Sequence, residues 1–220
     1  PGRLDGIQCA DPRHRSCRRN ASAMTISRLL SPRDFRRMPW RNGGGTTAEI
    51  MTWPEGAGGH AFVGRASIAD IGRDGAFSAW PGFDRTIVLV VGDGIALEYE
   101  GQTVELAALH EPYRFPGDSA CDCRLLRGPA RAFNLMIRRG GASGRVVVVD
   151  GASAIAGGWR FGVCYAVRGT SECLLAGRAP IPVGPGQALV IDDPDPGAPM
   201  HVNPVDGGAV AIVVSVDLLA

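Results

Sequence analysis

An all-β fold made of two jelly-roll halves is predicted by three features of the sequence. The 31 glycines and 16 prolines punctuate short Val/Ile-rich runs, the pattern of a chain that turns often. Those runs alternate apolar with small or polar residues at a period of two, or are apolar throughout, over lengths that suit strands. The chain also repeats itself weakly: VLVVGDGIALEYEGQTVEL (88–106) resembles CYAVRGTSECLLAGRAPIPV (164–183), with Gly92 matching Gly169 and Gly101 matching Gly177. A repeat of about 76 residues fits a half of six or more strands, and two such halves packed together protect each other's sheet edges.

Taken in order, SPRDF (31–35) reads as a short helical turn, with Ser31 as N-cap and Pro32 at the first helical position. Strands are predicted at 46–53, 61–69, 85–92, 94–101, 103–107, 121–128 and 132–139, bounded by Gly, Pro or Asp turns. A second series follows at 145–150, 159–167, 171–177, 187–193 and 209–218. Within it PVGPGQALVIDD (182–193) has the glycine turn and apolar continuation of a cupin strand pair, although an ordinary β-sandwich with unrelated hairpins accommodates the same runs. The division read from the sequence is a leader over 1–23, an N-terminal half over 24–143 and a C-terminal half over 144–220, packed as one unit.

With 45% hydrophobic and 20% charged residues the chain has enough apolar mass for a sizeable core. The formal charge is +1, and five of the 23 arginines lie in residues 1–23, leaving 18 arginines against 20 acids. That mildly acidic body argues against a nucleic-acid partner. There is no lysine, which is as readily a matter of genomic base composition as of function. The leader has neither an apolar secretory core nor periodicity and is expected to be disordered; the patterned chain opens at Met24, read as the natural start. No apolar run is long enough for a membrane helix, so a cytoplasmic location is expected. Cys121 and Cys123 share one strand face and are read as core residues. Cys164 and Cys173 face each other across a hairpin, as reduced thiols or, alternatively, a disulfide. The four histidines, at 14, 60, 110 and 201, are dispersed, so neither a metal nor another cofactor is predicted.

The stretch MPWRNGGGTTAEI (38–50) lacks the lysine and the following helix that a phosphate-binding loop requires. Its glycines serve backbone conformations with positive φ or close approach of another segment or ligand. Together with GRASIADIGRDGAFSAWPGFDRTIVLVVGDGIALE (64–98), PYRFPGD (112–118) and FNLMIRR (133–139), this stretch resembles the successive blocks of the HutD/Ves family, closely from Met24 to Arg139 and more loosely to the end. The resemblance implies a cupin-type double-stranded β-helix in bicupin form with few short helices, an intracellular bacterial setting, and, for the HutD branch, a link to histidine utilisation through sensing an intermediate such as N-formylglutamate. Ala132 stands where the family often carries an acid before Phe-Asn, so any role of that acid is absent here.

Candidate ligand contacts follow from the two-residue period. Arg65, Ser67 and Ala69 share a face, and Arg65 is assigned as the carboxylate anchor, or as the partner of Glu49 in a salt bridge. Thr47 and Glu49 share another face, and Asn134, Met136 and Arg138 a third, where Asn134 can orient an amide or formyl group or brace a bulge. Arg85 either contacts the ligand or pairs with the adjacent Asp84. Asn42 with Gly43, Gly44 and Gly45 is expected to form a loop at the barrel mouth that offers N–H groups to an anion, or a structural turn; Trp40 covers or underlies it. The leading expectation is a metal-independent binder of a small carboxylated metabolite. An isomerase or hydrolase using Glu49 as general base, and a protein partner of a transcriptional regulator, are the alternatives. Neither nucleic acid nor membrane is an expected partner, and a homodimer is compatible with the sequence.

Overall fold

The computed structural model describes residues 25–219, so the leader and the reading of Met24 as the start lie outside the described residues. Eleven strands come first: β1 (Ile26–Leu30), β2 (Arg36–Pro39), β3 (Gly45–Trp53), β4 (Gly64–Ile71), β5 (Gly75–Phe77), β6 (Phe83–Val91), β7 (Ile95–Tyr99), β8 (Gln102–Leu106), β9 (Pro112–Pro116), β10 (Cys121–Leu125) and β11 (Ala130–Arg138). Eight more follow: β12 (Ala142–Val149), β13 (Ser153–Ile155), β14 (Phe161–Arg168), β15 (Ser171–Leu174), β16 (Ile181–Val183), β17 (Ala188–Asp192), β18 (Met200–Pro204) and β19 (Val210–Leu218).

The repeat in the sequence is a repeat of eight strands. Strands β4 to β11 form two sheets with the orders β9-β6-β11-β4 and β5-β10-β7-β8, and β12 to β19 repeat both as β17-β14-β19-β12 and β13-β18-β15-β16. Each set is a jelly roll, and the chain is a bicupin. Strands β3 and β2 widen the first large sheet to six strands beyond β4, whereas β1 crosses to the other half and pairs with β17, widening that sheet to five. The β17 edge of the second half is therefore covered by the first strand of the described residues. Arg178 fastens this arrangement by donating to Ser27 Oγ at 3.0 Å and to the Thr25 carbonyl.

Alternation on the strands divides the apolar residues among three large cores and a small cluster of Phe62, Phe83 and Met136. Ile87, Leu89, Ile95, Leu97 and Phe115 fill the first barrel; Cys164, Leu189, Ile191, Val202 and Val213 fill the second. Between them the outward faces of the two large sheets meet, with Ile68, Val88, Phe133 and Leu135 packed against Val163, Tyr165, Val190 and Val214. Both large sheets are thus buried on both faces, and that explains why β6 and β19 read as continuous apolar runs rather than clean alternations.

No helix forms among the described residues. At 31–34 the chain makes one turn, Asp34 N–H donating to the Ser31 carbonyl at 2.9 Å, while the Asp34 carboxylate accepts from both the Ser31 N–H and its hydroxyl at 2.7 Å. These are the bonds of a capped turn, and Phe35 then turns into the core between the halves.

Phe133 is fully buried and lies 5.9 Å from the Tyr165 ring across the junction of the halves. Phe133→Ala is expected to cost about 3–5 kcal/mol. Chemical denaturation followed by circular dichroism and by tryptophan fluorescence should show one transition moved to lower denaturant in both probes; separate transitions for the two halves would contradict the shared core.

Candidate ligand site

The inner face of the six-stranded sheet carries the polar residues in rows set by strand register. One row reads Arg65, Met136, Arg85, Phe115 across β4, β11, β6 and β9; the next reads Glu49, Ser67, Asn134, Ile87 across β3, β4, β11 and β6. The following row, Ala69, Ala132 and Leu89, is apolar and closes the floor. Above these rows lies a cavity of about 480 Å³, walled by Trp40, Phe77, Trp80 and Met38 and reached by Arg41 and Asn42. Among its lining residues are three arginines, at 41, 65 and 85, and no acid. That volume is in the range of pockets for small metabolites.

The two inward arginines are in different states. Arg65 Nε donates to Glu49 Oε2 at 2.7 Å, and Arg36 Nη2 lies 3.0 Å from the other carboxylate oxygen. Glu49 is thereby held by two guanidiniums and fixes the plane of the Arg65 fork. Arg85, only 8% exposed, forms no ion pair among the described residues. Its Nη2 reaches Asn134 Oδ1 at a long 3.5 Å, and its Nε has no hydrogen-bond partner. The guanidinium stands between Phe77 and Phe115, 5.0 and 4.9 Å from the ring centroids. Burial pushes its pKa down to about 10, with Cys121 opposing that shift and the charge of Arg65 adding to it. It remains charged at neutral pH and is short of partners. Asp84 does not pair with it: successive strand residues point to opposite faces, and Asp84 pairs outside the barrel with Arg114 at 2.7 Å and Arg139 at 3.1 Å.

The glycine run stands apart from this cavity. Gly43 N–H donates to the Trp40 carbonyl and Gly44 N–H to Asn42 Oδ1, both at 2.9 Å, so these donors are spent within the loop instead of cradling an anion. Gly43, Gly44 and Gly45 line a separate, shallow recess with Asp70–Gly72 and Pro129–Arg131. Glycine is required at 45 because a Cβ there would collide with the Asp70 carbonyl and press on the Trp40 ring. Asn42 lines the cavity and also braces the loop, its Nδ2 donating to the Ala76 carbonyl at 3.4 Å. Trp40 forms cavity wall, its Nε1 donating to Thr47 Oγ1 at 2.8 Å.

Sequence reasoning did not single out Phe77, Trp80, Met136 and Arg41 as site residues. Trp80 packs on Phe62, and His60 packs on it with centroids 5.0 Å apart, so this histidine supports the wall. Phe77 and Trp80 share one signal, an aromatic in a short segment beside a turn, which alone does not separate a cavity wall from a core residue. No three His, Cys, Asp or Glu side chains gather into a metal-binding group among the described residues. The described cysteines are free and buried; burial raises Cys123 to about 12, and Cys164 is raised well above its ordinary value by its hydrogen bond to Cys173 and by burial. These thiols are poor nucleophiles.

Fold and cavity together define a cupin-type bicupin with a cationic pocket in its first barrel. The backbone likeness extends to an oxalate decarboxylase, with a TM-score of 0.61 over 87% of this chain and 78% of that one, at 8% identity, a likeness of fold alone. The chain belongs to the HutD family: the family model described as HutD matches residues 32–210. An uncharacterised 21.2 kDa protein in the hutC 3′ region of Pseudomonas putida is 37% identical over 155 residues, covering 70% of this chain and 81% of that protein. Protein Ves of Citrobacter koseri is 36% identical over 62% of this chain and 72% of its own. The solved HutD from Pseudomonas fluorescens SBW25 (formate condition) superposes with a TM-score of 0.77 at 29% identity, over 89% of this chain and all of that one.

Two substitutions separate the arginines. Taking an ion out of water costs several kcal/mol, and a methionine of similar length keeps the packing between the Phe77 and Phe115 rings without that cost. Arg85→Met should therefore raise the melting midpoint of the ligand-free protein, by about 2–4 °C for each kcal/mol recovered. Glu49→Ala should lower it, since Arg65 and Arg36 lose their shared carboxylate. Gly45→Ala is expected to cost about 1–3 kcal/mol through overpacking. Scanning calorimetry measures all three, and a destabilised Arg85→Met would contradict this account of the buried charge.

Proposed function

We propose that the protein is a metal-independent bicupin that binds a small carboxylated metabolite of the N-formylglutamate type, and that binding serves a regulatory or sequestering role in cytoplasmic histidine utilisation. The observation that carries this reading is Arg85: a charged guanidinium, nine-tenths buried at a cavity, with an unpartnered Nε and, among the described residues, no carboxylate to pair it. A ligand carboxylate supplies the missing anion, in the bidentate geometry that guanidinium favours. Arg65, held in plane by Glu49, presents its remaining N–H groups to the same space, while Asn134 and Ser67 offer an amide and a hydroxyl suited to a formyl or acylamino group. The family name and the hutC-region relative support the connection with histidine utilisation. Glu49 acts here as an orienting group: both of its oxygens are engaged by arginines, which leaves a general-base role without support.

Thermal shift and calorimetry with N-formyl-L-glutamate, L-glutamate, urocanate and formate test the reading. A ligand at 100 times its Kd adds about 2.7 kcal/mol to stability. At least one carboxylate should stabilise the parent and lose its effect in Arg85→Met, whereas no response to any of them would overturn the proposal. The pH dependence is signed by Arg85. Burial holds its pKa down at about 10 in the free protein, so the guanidinium sheds its proton above that pH. Affinity should be level through neutral pH and fall as pH rises past about 10; a fall centred near neutrality would point to another group.

A further inference from the structure

The eight-strand repeat allows each site position of the first barrel to be found in the second. Both halves carry a bulge at the same place, leaving Val90 on β6 and Val167 on β14 without a partner between Leu89 and Val91 and between Ala166 and Arg168. From there the registers run in step. Ile87 pairs with Asn134 and Asn134 with Ser67; correspondingly, Cys164 pairs with Val213 and Val213 with Val147. Two residues further along, Arg85, Met136 and Arg65 correspond to Gly162, Ser215 and Arg145. The second barrel has thus lost both the buried guanidinium and the amide, and the one arginine it keeps, Arg145, is exposed.

The space that Arg85 takes in the first barrel is not vacant in the second. A Cβ added to Gly162 would lie 2.6 Å from Cζ3 of Trp159. Trp159 comes from the segment between β13 and β14, the counterpart of the segment between β5 and β6 that carries Trp80. Trp80 stands in the wall of a cavity of about 480 Å³, whereas Trp159 is 6% exposed and packed with Cys164, Leu189 and Val213 inside its barrel, its Nε1 donating to the Ala156 carbonyl at 3.0 Å. Trp159 also borders a recess of about 10 Å³ lined by Leu175, Pro194, Pro199 and Met200, with room for no more than a single water.

We propose that the second barrel is a closed copy of the ligand site, with the indole of Trp159 standing where a ligand stands in the first, so that each chain carries one ligand. The count of one rests on the ligand reading of the first barrel; the plug does not. Trp159→Ala should open an indole-shaped cavity over Gly162. Free indole should then raise the melting midpoint of this variant by several degrees more than that of the parent. If the variant is recovered only unfolded, refolding with indole should restore the native circular dichroism spectrum that is absent without it. No gain from indole in either form overturns the plug. Calorimetry of the parent with N-formyl-L-glutamate supplies the second arm. One site per chain, abolished in Arg85→Met, is the result expected; two sites, or one that survives in Arg85→Met, overturns the closed second barrel. An absence of carboxylate binding, with indole rescue intact, would sink the ligand reading while leaving the plug in place.

Discussion

Arg85 is the group around which the first barrel is arranged. Its guanidinium is taken out of water with only a distant amide oxygen and two aromatic faces in return, an arrangement that costs more than it recovers. The other arginine in the row had a cheaper solution available, the carboxylate of Glu49, and uses it. One side chain in the cavity is therefore settled and the other is held short of an anion. Marginally stable proteins keep a cost of this kind where binding or chemistry uses it, which is why the unsatisfied arginine, more than the cavity's size, directs attention to an anionic ligand.

The strands that carry that charge are covered on their other face, since both large sheets are buried on both sides. Phe133, Val88 and Ile68 on the outer side of the six-stranded sheet are covered by the second half, while Arg65, Arg85 and Asn134 project from the same strands into the first barrel. The second half covers the apolar back of the binding sheet, and its own interior is filled by Trp159 and branched aliphatics. Strand β1, lent from the N-terminus to β17, adds a further tie between the halves.

The long strands were legible because their alternation and Gly/Pro boundaries are local, and the repeat was legible because Gly92 and Gly169 both take positive φ at the same tight turn. What stayed hidden was short or at an edge. Strands β5, β13 and β16 have three residues each, and β9 is bounded by Pro112 and Pro116, so neither length nor period announces them. The turn expected at Ser31 forms with its cap in place but stops after a single turn, as Arg36 begins β2. In the site, alternation placed Arg65, Ser67 and Asn134 correctly on the inner face. Arg85 was harder to weigh, since Asp84 beside it in sequence invites pairing, although Ile87 and Leu89 two and four residues on mark its face as the inner one. The glycine loop misled because a run of small residues signals close approach without telling what approaches; here it is the Asp70 carbonyl and the Trp40 ring.

The most direct measurement is a crystal structure of the protein soaked with N-formyl-L-glutamate, with Arg85→Met treated identically. The account predicts a carboxylate on the Arg85 guanidinium within the first barrel, within reach of Arg65 and Asn134, and no density for it in the variant. A carboxylate held instead at the glycine loop or in the second barrel, or one that persists in the variant, would contradict it.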